Sequence, residues 1–444
     1  MTGSRAPARI GPRLAALLAV LSVFAPGSGS TPASADDVFD PDEPPETRYQ
    51  LAPFLTFGAE LEFNYEYRKN LSLDGRPDND AATGAPELSL AFSFDPDPTF
   101  QAFLNVAVSR EVVWKIETDR TKPNEDVQLE LKEFFVWLRS LPGGLSLQVG
   151  RQRFEDERQW LYDEELDAAR LRFRRGALTM ELSLSQEAII PKDLLRSVPV
   201  DRINNYVLYA SYRLLEDLAL DGYAIVRDDQ SAPERRRPVF LGLRSRGEPL
   251  EDLDYWFELG YVAGREGSRR LGGWGVDLGA TYEFQVGPKP ALTLGFAFGS
   301  GDRTPDDRTD RSFRQTGLQD NEGDFGGATD FKYYGEVLDP ELSNLAIFTA
   351  GIGIRPSDKV SVDLVYHYYL QHREAATLRD AGIEAEPSGR SRHIGSGMDL
   401  ILGLQEIYDR LELKAVLGYF APGSAFPDRN GGAWVVRTEV QFRF

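Results

Sequence analysis

The chain ends in GGAWVVRTEVQFRF (residues 431–444), and the alternation of side chains in this stretch indicates the fold. From Trp434 to Phe444 the even-numbered residues are apolar or Thr, whereas the odd-numbered residues from Arg437 to Arg443 are charged or Gln. A period of two over this length predicts a β-strand that can cross a bilayer when tilted. Pairing back to the first strand would leave no open edge, so we predict an outer-membrane barrel. Alternation alone is also compatible with a strand of a soluble β-sandwich.

The composition of the 444 residues fits such a barrel. The chain has 41 Gly, 18 Tyr and 26 Phe, yet its mean hydropathy is −0.37, as expected when polar lumen-facing residues alternate with apolar ones. Its formal charge of −20 argues against nucleic acid as a partner. Cysteine is absent, which suits a protein that crosses an oxidising periplasm.

The amino-terminus has the layout of a secretory signal peptide, which we predict over residues 1–35. Arg5, Arg9 and Arg13 supply the positive region, an apolar stretch covers residues 14–25, and Ala-Ser-Ala precedes the cleavage point. Removal of this segment would change the formal charge to about −23. The acidic, proline-rich residues 36–56 then predict an extended periplasmic lead-in.

Residues 57–444 are predicted to form the barrel, an all-β, transmembrane, antiparallel fold of about 18 strands. The amino- and carboxy-termini would both be periplasmic. Connections from even to odd strands are short, and those from odd to even strands are all longer, as in bacterial barrels with short periplasmic turns. The predicted strands are residues 59–68, 87–94, 100–110, 128–138, 145–154, 167–175, 177–187, 205–214, 218–227, 238–246, 253–264, 274–285, 290–300, 345–355, 360–371, 393–403, 411–421 and 433–444.

The longest connection, residues 301–344, lies on the predicted extracellular side. It contains Tyr333 to Val337, which could form a strand, but counting it would give an odd strand number and invert the later loops. We therefore place it outside the barrel wall. Long loops inside barrels commonly fold into the lumen, so this loop and residues 155–166 are predicted gates.

Parity also predicts which charges line the pore. Leu171 and Phe173 must face lipid, because an arginine near mid-membrane costs roughly 2–4 kcal/mol there. Arg170, Arg172 and Arg174 then point inward and could form a track for carboxylates. The alternative is that they brace the wall by pairing with Glu181 and other acids. The alternation places further basic side chains in the lumen, namely those of Arg213, Arg244, Arg246, Lys414 and Arg437.

Two basic residues do not fit this parity. Arg151 and Arg153 share the parity of Leu145, Leu147 and Val149. Either Gly150 marks a bulge that re-aims them or they emerge above the membrane. The strand at 128–138 is apolar on both parities, so its lumen face stays unassigned. Predicted lumen acids are Glu60, Glu62, Glu181, Asp254, Glu258, Asp277, Glu283, Asp363 and Asp399.

Several long strings resemble the alginate-export family of outer-membrane barrels (AlgE-type). The clearest are FRQTGLQDNEGDFGG and FKYYGEVLDPELSNL between Ser312 and Leu345. Supporting strings are GRQRF at residues 150–154, which runs into ERQWLYDEELDAARL, the GYFAPG corner at 418–423 with Ala425-Phe426, and RKNLSLD at 68–74. They spread over essentially the whole mature chain.

The resemblance implies a pore that passes a polyuronate such as alginate from the periplasm to the exterior by passive diffusion through an electropositive constriction. It also implies gating segments over that constriction. The positions carried over from the matching strings are Arg151, Arg153, Asp163, Glu164, Arg314 and Gln315. Implied partners are the anionic polysaccharide, outer-membrane lipids, the barrel assembly machinery and periplasmic polysaccharide-delivery proteins.

Two other functions compete with export. A general or oligosaccharide-selective porin would conduct small solutes freely. An outer-membrane hydrolase is disfavoured because His367, His372 and His393 lack any nucleophile or zinc spacing, and we predict no enzyme activity. No cofactor is predicted. Carboxylates at Asp306-Asp307, Asp310 and 320–324 could hold a structural Ca²⁺, but their spacing matches no EF-hand.

Overall fold

A computed structural model describes residues 47–76, 80–116, 126–196, 202–215, 218–231, 234–304, 307–408, 410–427 and 429–444. Eighteen long strands in these ranges form one closed antiparallel barrel, as predicted. The predicted signal peptide and residues 36–46 of the lead-in lie outside the described residues. The strands are β1 Leu55–Lys69, β2 Ala81–Asp97, β3 Phe100–Ser109, β4 Gln128–Leu141, β5 Leu145–Glu155, β6 Asp163–Arg175, β7 Leu178–Gln186, β8 Ile203–Leu215, β9 Leu218–Asp229, β10 Arg236–Leu250, β11 Leu253–Glu266, β12 Arg269–Glu283, β13 Pro290–Gly299, β14 Leu345–Ser357, β15 Val360–Gln371, β16 His393–Ile407, β17 Leu411–Pro422 and β18 Ala433–Arg443.

The carboxy-terminal strand closes the barrel. β18 pairs with β1 in a register that runs from Glu60 opposite Arg443 to Lys69 opposite Trp434. Phe444 continues this ladder with two backbone hydrogen bonds of 2.9 Å to Ala59. Because both edges of the sheet are paired, the exposed aromatic end of the chain offers no free edge.

The wall separates an apolar outer face from a polar inner face. On β7, Leu182 and Leu184 are about half exposed on the outside, whereas Glu181 and Ser183 are buried on the inside. This alternation is the pattern by which a barrel meets lipid with one face and its lumen with the other. No helix among the described residues is long and apolar enough to cross a membrane.

Connection lengths follow the predicted alternation with one exception. Residues 98–99 and 142–144 are short turns at one end, and residues 300–344 and 372–392 are long loops at the other. The prediction that every odd-to-even connection is long is wrong at β11–β12, where only residues 267–268 intervene. The backbone pairing of β11 with β12 continues as far as Glu266 opposite Arg269. These end residues are polar, so the apolar alternation used to predict the strands did not include them.

The structure also assigns the face of β4. Phe134 and Val136 are exposed on the outside, and Phe135 is buried inside against Phe103 with ring centroids 5.3 Å apart.

The end of the predicted lead-in is ordered as well. Residues Tyr49–Ala52 form a short strand, which pairs with the start of β1. The lead-in is thus joined to the barrel sheet near its final residues.

Candidate functional site

The connection between β13 and β14, residues 300–344, folds into the lumen, and we call it the long loop. Its aromatic residues are buried against side chains of the wall and of another loop. The ring of Phe325 stacks on Trp256 of β11 at 5.5 Å, and Phe313 stacks on Trp160 at 5.9 Å. Phe313 also packs against Gly260 and Gly275 of the wall, where a Cβ atom would collide with its ring. The long loop is thus a packed plug.

The tip of the long loop reaches the opposite end of the lumen. The guanidinium of Arg355 donates hydrogen bonds to the carbonyls of Phe325 at 3.0 Å and Gly326 at 2.7 Å. The Ala328 amide donates to Ser361 Oγ at 2.9 Å. Arg355 and Ser361 flank the short turn between β14 and β15, whereas the long loop starts at the other rim. The loop therefore extends along most of the pore axis.

A second loop, residues 156–162, enters the lumen beside it, and we call it the short loop. Asp156 Oδ1 accepts the amides of Leu161 at 2.9 Å and Tyr162 at 3.0 Å, which closes the loop on itself. Trp160 Nε1 donates to the Tyr334 hydroxyl at 3.1 Å. The two loops thus form one packed body.

Arg158 joins that body to the wall. Its guanidinium contacts Asp277 of β12 at 3.1 Å and lies over the rings of Trp256 at 4.3 Å and Tyr333 at 4.0 Å. Cation–π contacts and charge-assisted hydrogen bonds contribute more to stability when the cation is desolvated, as the buried Arg158 guanidinium is. No pattern in the sequence singles out Arg158, although it lies within a string that carries the family resemblance.

A cavity of about 440 Å³ remains between the long loop and the wall formed by β1, β2, β17 and β18. Four basic side chains line it, namely Lys332 of the long loop, Arg110, Lys414 and Arg437. Carboxylates of Glu66, Glu87, Glu111, Glu322 and Glu439 also line it. The cavity is therefore a polar passage of mixed charge beside the plug.

Ion pairs across this cavity hold the long loop to the wall. Arg437 of β18 pairs with Glu336 of the loop and, at 2.8 Å, with Glu66 of β1. Lys414 of β17 pairs with loop residue Glu322. Both predicted pore cations thus have carboxylate partners from the plug itself.

Burial changes the acidity of loop groups at this contact. Desolvation raises the pKa of the Glu336 carboxyl from 4.5 to about 7, and Asp399 adds to this, while Arg437 opposes it. Desolvation likewise raises the pKa of Asp339 from 3.8 to about 6 against the attraction of Lys332. The docked loop therefore holds protons more tightly than a solvated loop would.

The arginines predicted on β6 occupy two environments. Arg170 and Arg172 are buried and share the carboxylate of Glu181, with contacts of 2.9 and 3.1 Å. Arg170 also lies over the Phe154 ring at 4.1 Å. Arg174 is exposed near the turn that follows β6. The pairing of two arginines with Glu181 is the arrangement that wall bracing requires, and a role in a substrate track stays a prediction.

The predicted pair on β10 contacts the short loop. Arg244 is buried and binds Glu258 of β11 and, at 2.6 Å, Asp156 of the short loop. Arg246 pairs with Glu157 of the same loop. These two arginines thus position the short loop in the lumen.

Arg151 and Arg153 of β5 differ in burial. Gly150 has a φ of +132°, and a Cβ there would lie 2.2 Å from the Phe134 carbonyl oxygen, so only glycine fits. Arg151 is buried and bidentate to Asp167 at 2.8 and 2.9 Å. Arg153 is exposed and contacts Asp163 at 3.0 Å. The β5–β6 register runs through Gly150 without a shift, so there is no bulge at this position, and the Arg151 guanidinium is covered by Asp167 and by the Ile190 carbonyl, to which it donates.

The four predicted gating residues lie at the loop contacts. Asp163 and Glu164 begin β6, so the loop is shorter than predicted, and Glu164 pairs with Lys192 at 3.0 Å. Arg314 is buried between Glu266 at 2.8 Å and Asp310 at 2.7 Å. Gln315 donates to the Trp160 carbonyl at 3.2 Å and so joins the two loops.

The histidines lie apart and form no catalytic arrangement in the described chain. His367 is buried, with Nδ1 3.0 Å from Thr349 Oγ1 and Nε2 3.5 Å from Asp399, and His372 Nδ1 accepts the Gly301 amide at 2.9 Å. The described residues contain no group of three or more His, Cys, Asp or Glu that could hold a metal ion. Asp306, one of the candidate calcium ligands, lies outside the described residues.

An 18-stranded barrel with loops packed in its lumen defines an outer-membrane β-barrel of porin type. Solved porins of Pseudomonas aeruginosa share this fold. OccK11 (OpdR) is 14% identical, with a TM-score of 0.57 over 88% of this chain and 96% of its own. The outer-membrane protein opdK is 12% identical, with a TM-score of 0.58 over 88% and 98% of the two chains.

The chain belongs to the alginate export family, whose profile matches residues 54–436. Relatives named "Alginate production protein AlgE" include one from Pseudomonas syringae pv. tomato, 22% identical over 66% of this chain and 65% of its own. Another, from Azotobacter vinelandii, is 28% identical over 29% of this chain and 28% of its own. The matches thus span less than two thirds of either relative. Family and fold together place the chain in the outer membrane of a Gram-negative bacterium.

Proposed function

We propose that the protein is an outer-membrane channel that exports alginate, or a similar anionic polyuronate, by passive diffusion. Membership of the alginate export family supports the substrate class. Residues 1–35 would act as a signal peptide, residues 36–56 as a periplasmic lead-in, and both termini would be periplasmic. The polymer would then enter from the periplasm and leave at the rim that carries the long loops.

The observation that carries this proposal is the row of basic side chains beside the plug. Lys332, Lys414 and Arg437 line the 440 Å³ cavity, and each has a carboxylate partner. Guanidinium and ammonium groups bind the carboxylates of a uronate in the same way as those of Glu or Asp. Each uronate that enters can therefore replace Glu322 or Glu336 as the partner of a wall cation.

Such exchange also accounts for movement of the plug. The long loop occupies the lumen almost from rim to rim, so a polymer passes only when the loop shifts. Replacement of its acidic anchors by substrate carboxylates lowers the cost of that shift, because no cation is left unpaired. The contacts between uronate carboxylates and wall cations stay weak and repeat along the path, as conduction requires. The substrate thus releases the gate that closes its own path.

Ion current through single channels in planar bilayers tests the proposal. Polyuronate added on the periplasmic side should interrupt the current, whereas neutral dextran of equal length should not. The Lys414→Gln/Arg437→Gln variant should lose most of this block. Equal block by dextran, or full block of the variant, would reject a carboxylate-selective path.

A second candidate is a small-solute or oligosaccharide-selective porin, which the similarity of the fold to the OccK porins favours. Such a channel would conduct small anions at a high, steady level with the plug in place. An exporter should instead show low conductance until the plug moves. The same recordings distinguish the two functions.

A further inference from the structure

A cleft of about 410 Å³ lies on the outer face of the barrel at the rim of the long loops. It is lined by Trp274, Ser300, Arg303, Arg311 and Arg373, together with Gly272, Gly301, Thr304 and His372. The ion pairs that join the plug to the wall through Arg158, Lys414 and Arg437 lie outside this cleft. Its lining combines the guanidinium groups with Trp274, which lies at the upper edge of the lipid-facing surface.

The parity of β12 and β13 places the cleft outside the pore. Trp274 is about half exposed and shares the parity of Leu278 and Tyr282, which also point outward, whereas Asp277 is buried inside. Phe298 of β13 lies against Trp274 with ring centroids 4.8 Å apart. Aromatic rings in such a position form the belt at which a barrel passes from acyl chains to headgroups.

His372 lies directly above this belt. Its ring meets Phe298 edge to face at 5.0 Å, and its Nδ1 accepts the Gly301 amide at 2.9 Å. Burial, together with Arg373 and Arg392, lowers the pKa of His372, which favours the neutral ring. The tautomer that accepts at Nδ1 keeps its proton on Nε2, which can donate to an anion.

Three arginines line the same cleft as His372. Arg303 and Arg373 are exposed, and no described acidic side chain forms a salt bridge with either. The backbone of Arg373 is fixed by two hydrogen bonds of 2.8 Å with the Asn344 side chain. Arg311 contacts Asp307 at 2.9 Å and Asp302 at 3.5 Å, and its side chain is nearly half exposed. The cleft therefore has positive charge in excess of its own acids.

We propose that this cleft binds the phosphorylated headgroup of an outer-leaflet glycolipid. Guanidinium forks match phosphate oxygens bidentately, and basic pockets just above an aromatic belt lie at headgroup level. The cleft opens to the lipid side and not to the lumen, which favours a membrane lipid over the exported polymer. The inference needs the long loops to face the cell exterior, but it does not depend on which polymer the pore carries.

Native mass spectrometry of the purified full-length barrel tests the site. The protein is reconstituted with diphosphoryl lipid A, and retained lipid is counted after detergent exchange. Wild-type protein should retain one lipid that the Arg303→Gln/Arg373→Gln variant binds about tenfold more weakly. The Arg390→Gln/Arg410→Gln variant, which removes two exposed arginines elsewhere, should match wild type. Heat-modified mobility on gels confirms that every variant is folded.

Lipid chemistry provides the decisive comparison on unaltered protein. Dephosphorylated lipid A should not be retained, and inorganic pyrophosphate should displace the bound lipid. Equal retention of phosphatidylglycerol, or equal retention by the cleft variant, would overturn the proposal. Displacement by alginate oligosaccharide but not by pyrophosphate would show a polymer site instead.

Discussion

The guanidinium of Arg158 lies 3.1 Å from the carboxylate of Asp277, so a residue of the short loop and a residue of the wall share a buried ion pair. Trp256 and Tyr333 enclose the same guanidinium. One side chain therefore links the short loop, the long loop and the barrel.

Replacement of Arg158 by Ala should loosen the plug. Removing one partner of a buried pair leaves Asp277 uncompensated, which costs about 3–5 kcal/mol. Even about 3 kcal/mol would raise the population of undocked loops roughly 100-fold. Single-channel conductance should increase, and cells should become more sensitive to large antibiotics. The exposed Arg390→Ala variant is the control, and a wild-type conductance for Arg158→Ala would contradict the prediction.

Deletion of the long loop should open the pore without unfolding the barrel. The loop ends are adjacent, since the Asn344 amide donates to the Ser300 carbonyl at 3.2 Å, so a short glycine linker can replace residues 302–343. We expect a higher conductance with heat-modified gel mobility retained. If the deletion variant conducts as wild type does, the long loop is not the barrier.

Substitution of the basic residues should distinguish those that line the cavity from those that brace the wall. Lys414→Gln/Arg437→Gln should lower the anion-to-cation permeability ratio at least about twofold, because both residues line the cavity. Arg170→Gln/Arg172→Gln should mainly lower thermal stability, because Glu181 would be left as a buried unpaired charge. Reversal potentials and heat-modifiability measure the two effects. A loss of selectivity only in the β6 variant would support the arginine track on β6.

The gate should open more readily as the pH rises. The pKa of Glu336 is about 7 when the loop is docked and 4.5 at its ordinary value, so docking takes up a proton between these values. A group whose docked pKa is raised stabilises docking below about pH 4.5, and this contribution is lost as the pH rises through about 7. Open probability should therefore increase from about pH 5 to about pH 8. Glu336→Gln should flatten this dependence, and an unchanged slope would assign it to other groups.

Removal of Phe444 should impair assembly. This residue forms two 2.9 Å backbone hydrogen bonds with Ala59 and lies against Phe442 at 5.6 Å. Without Phe444 the closing strand loses its last pair of backbone hydrogen bonds to β1. The fraction of heat-modifiable protein in outer-membrane preparations should fall, whereas Phe444→Tyr should behave as wild type. Normal assembly of the deletion variant would show that the last rung is dispensable.

The alternation of side chains was enough to predict the barrel, its 18 strands and the side of the wall on which most charges lie. Side chains alternate with a period of two, so lipid exposure on one face constrains the other face residue by residue. That is why β18, β6 and the inward direction of Arg170 and Arg172 could be predicted. Parity did not predict the burial of Arg151, because Asp167 and Ile190, which cover its guanidinium, come from a neighbouring strand and from a loop.

The pairing of charged residues could not be predicted from this alternation and follows from the folded chain. Parity places Arg437 and Lys414 inside, but their partners Glu336 and Glu322 come from a loop about a hundred residues earlier in the chain. Likewise, Arg158 acquires its importance from Asp277, Trp256 and Tyr333, which three separate segments contribute. Loops have no periodic pattern that fixes their direction, and their position follows from packing and ion pairing across the lumen. The position of the plug is therefore a property of the folded chain, whereas the wall follows from the alternation of side chains in the sequence.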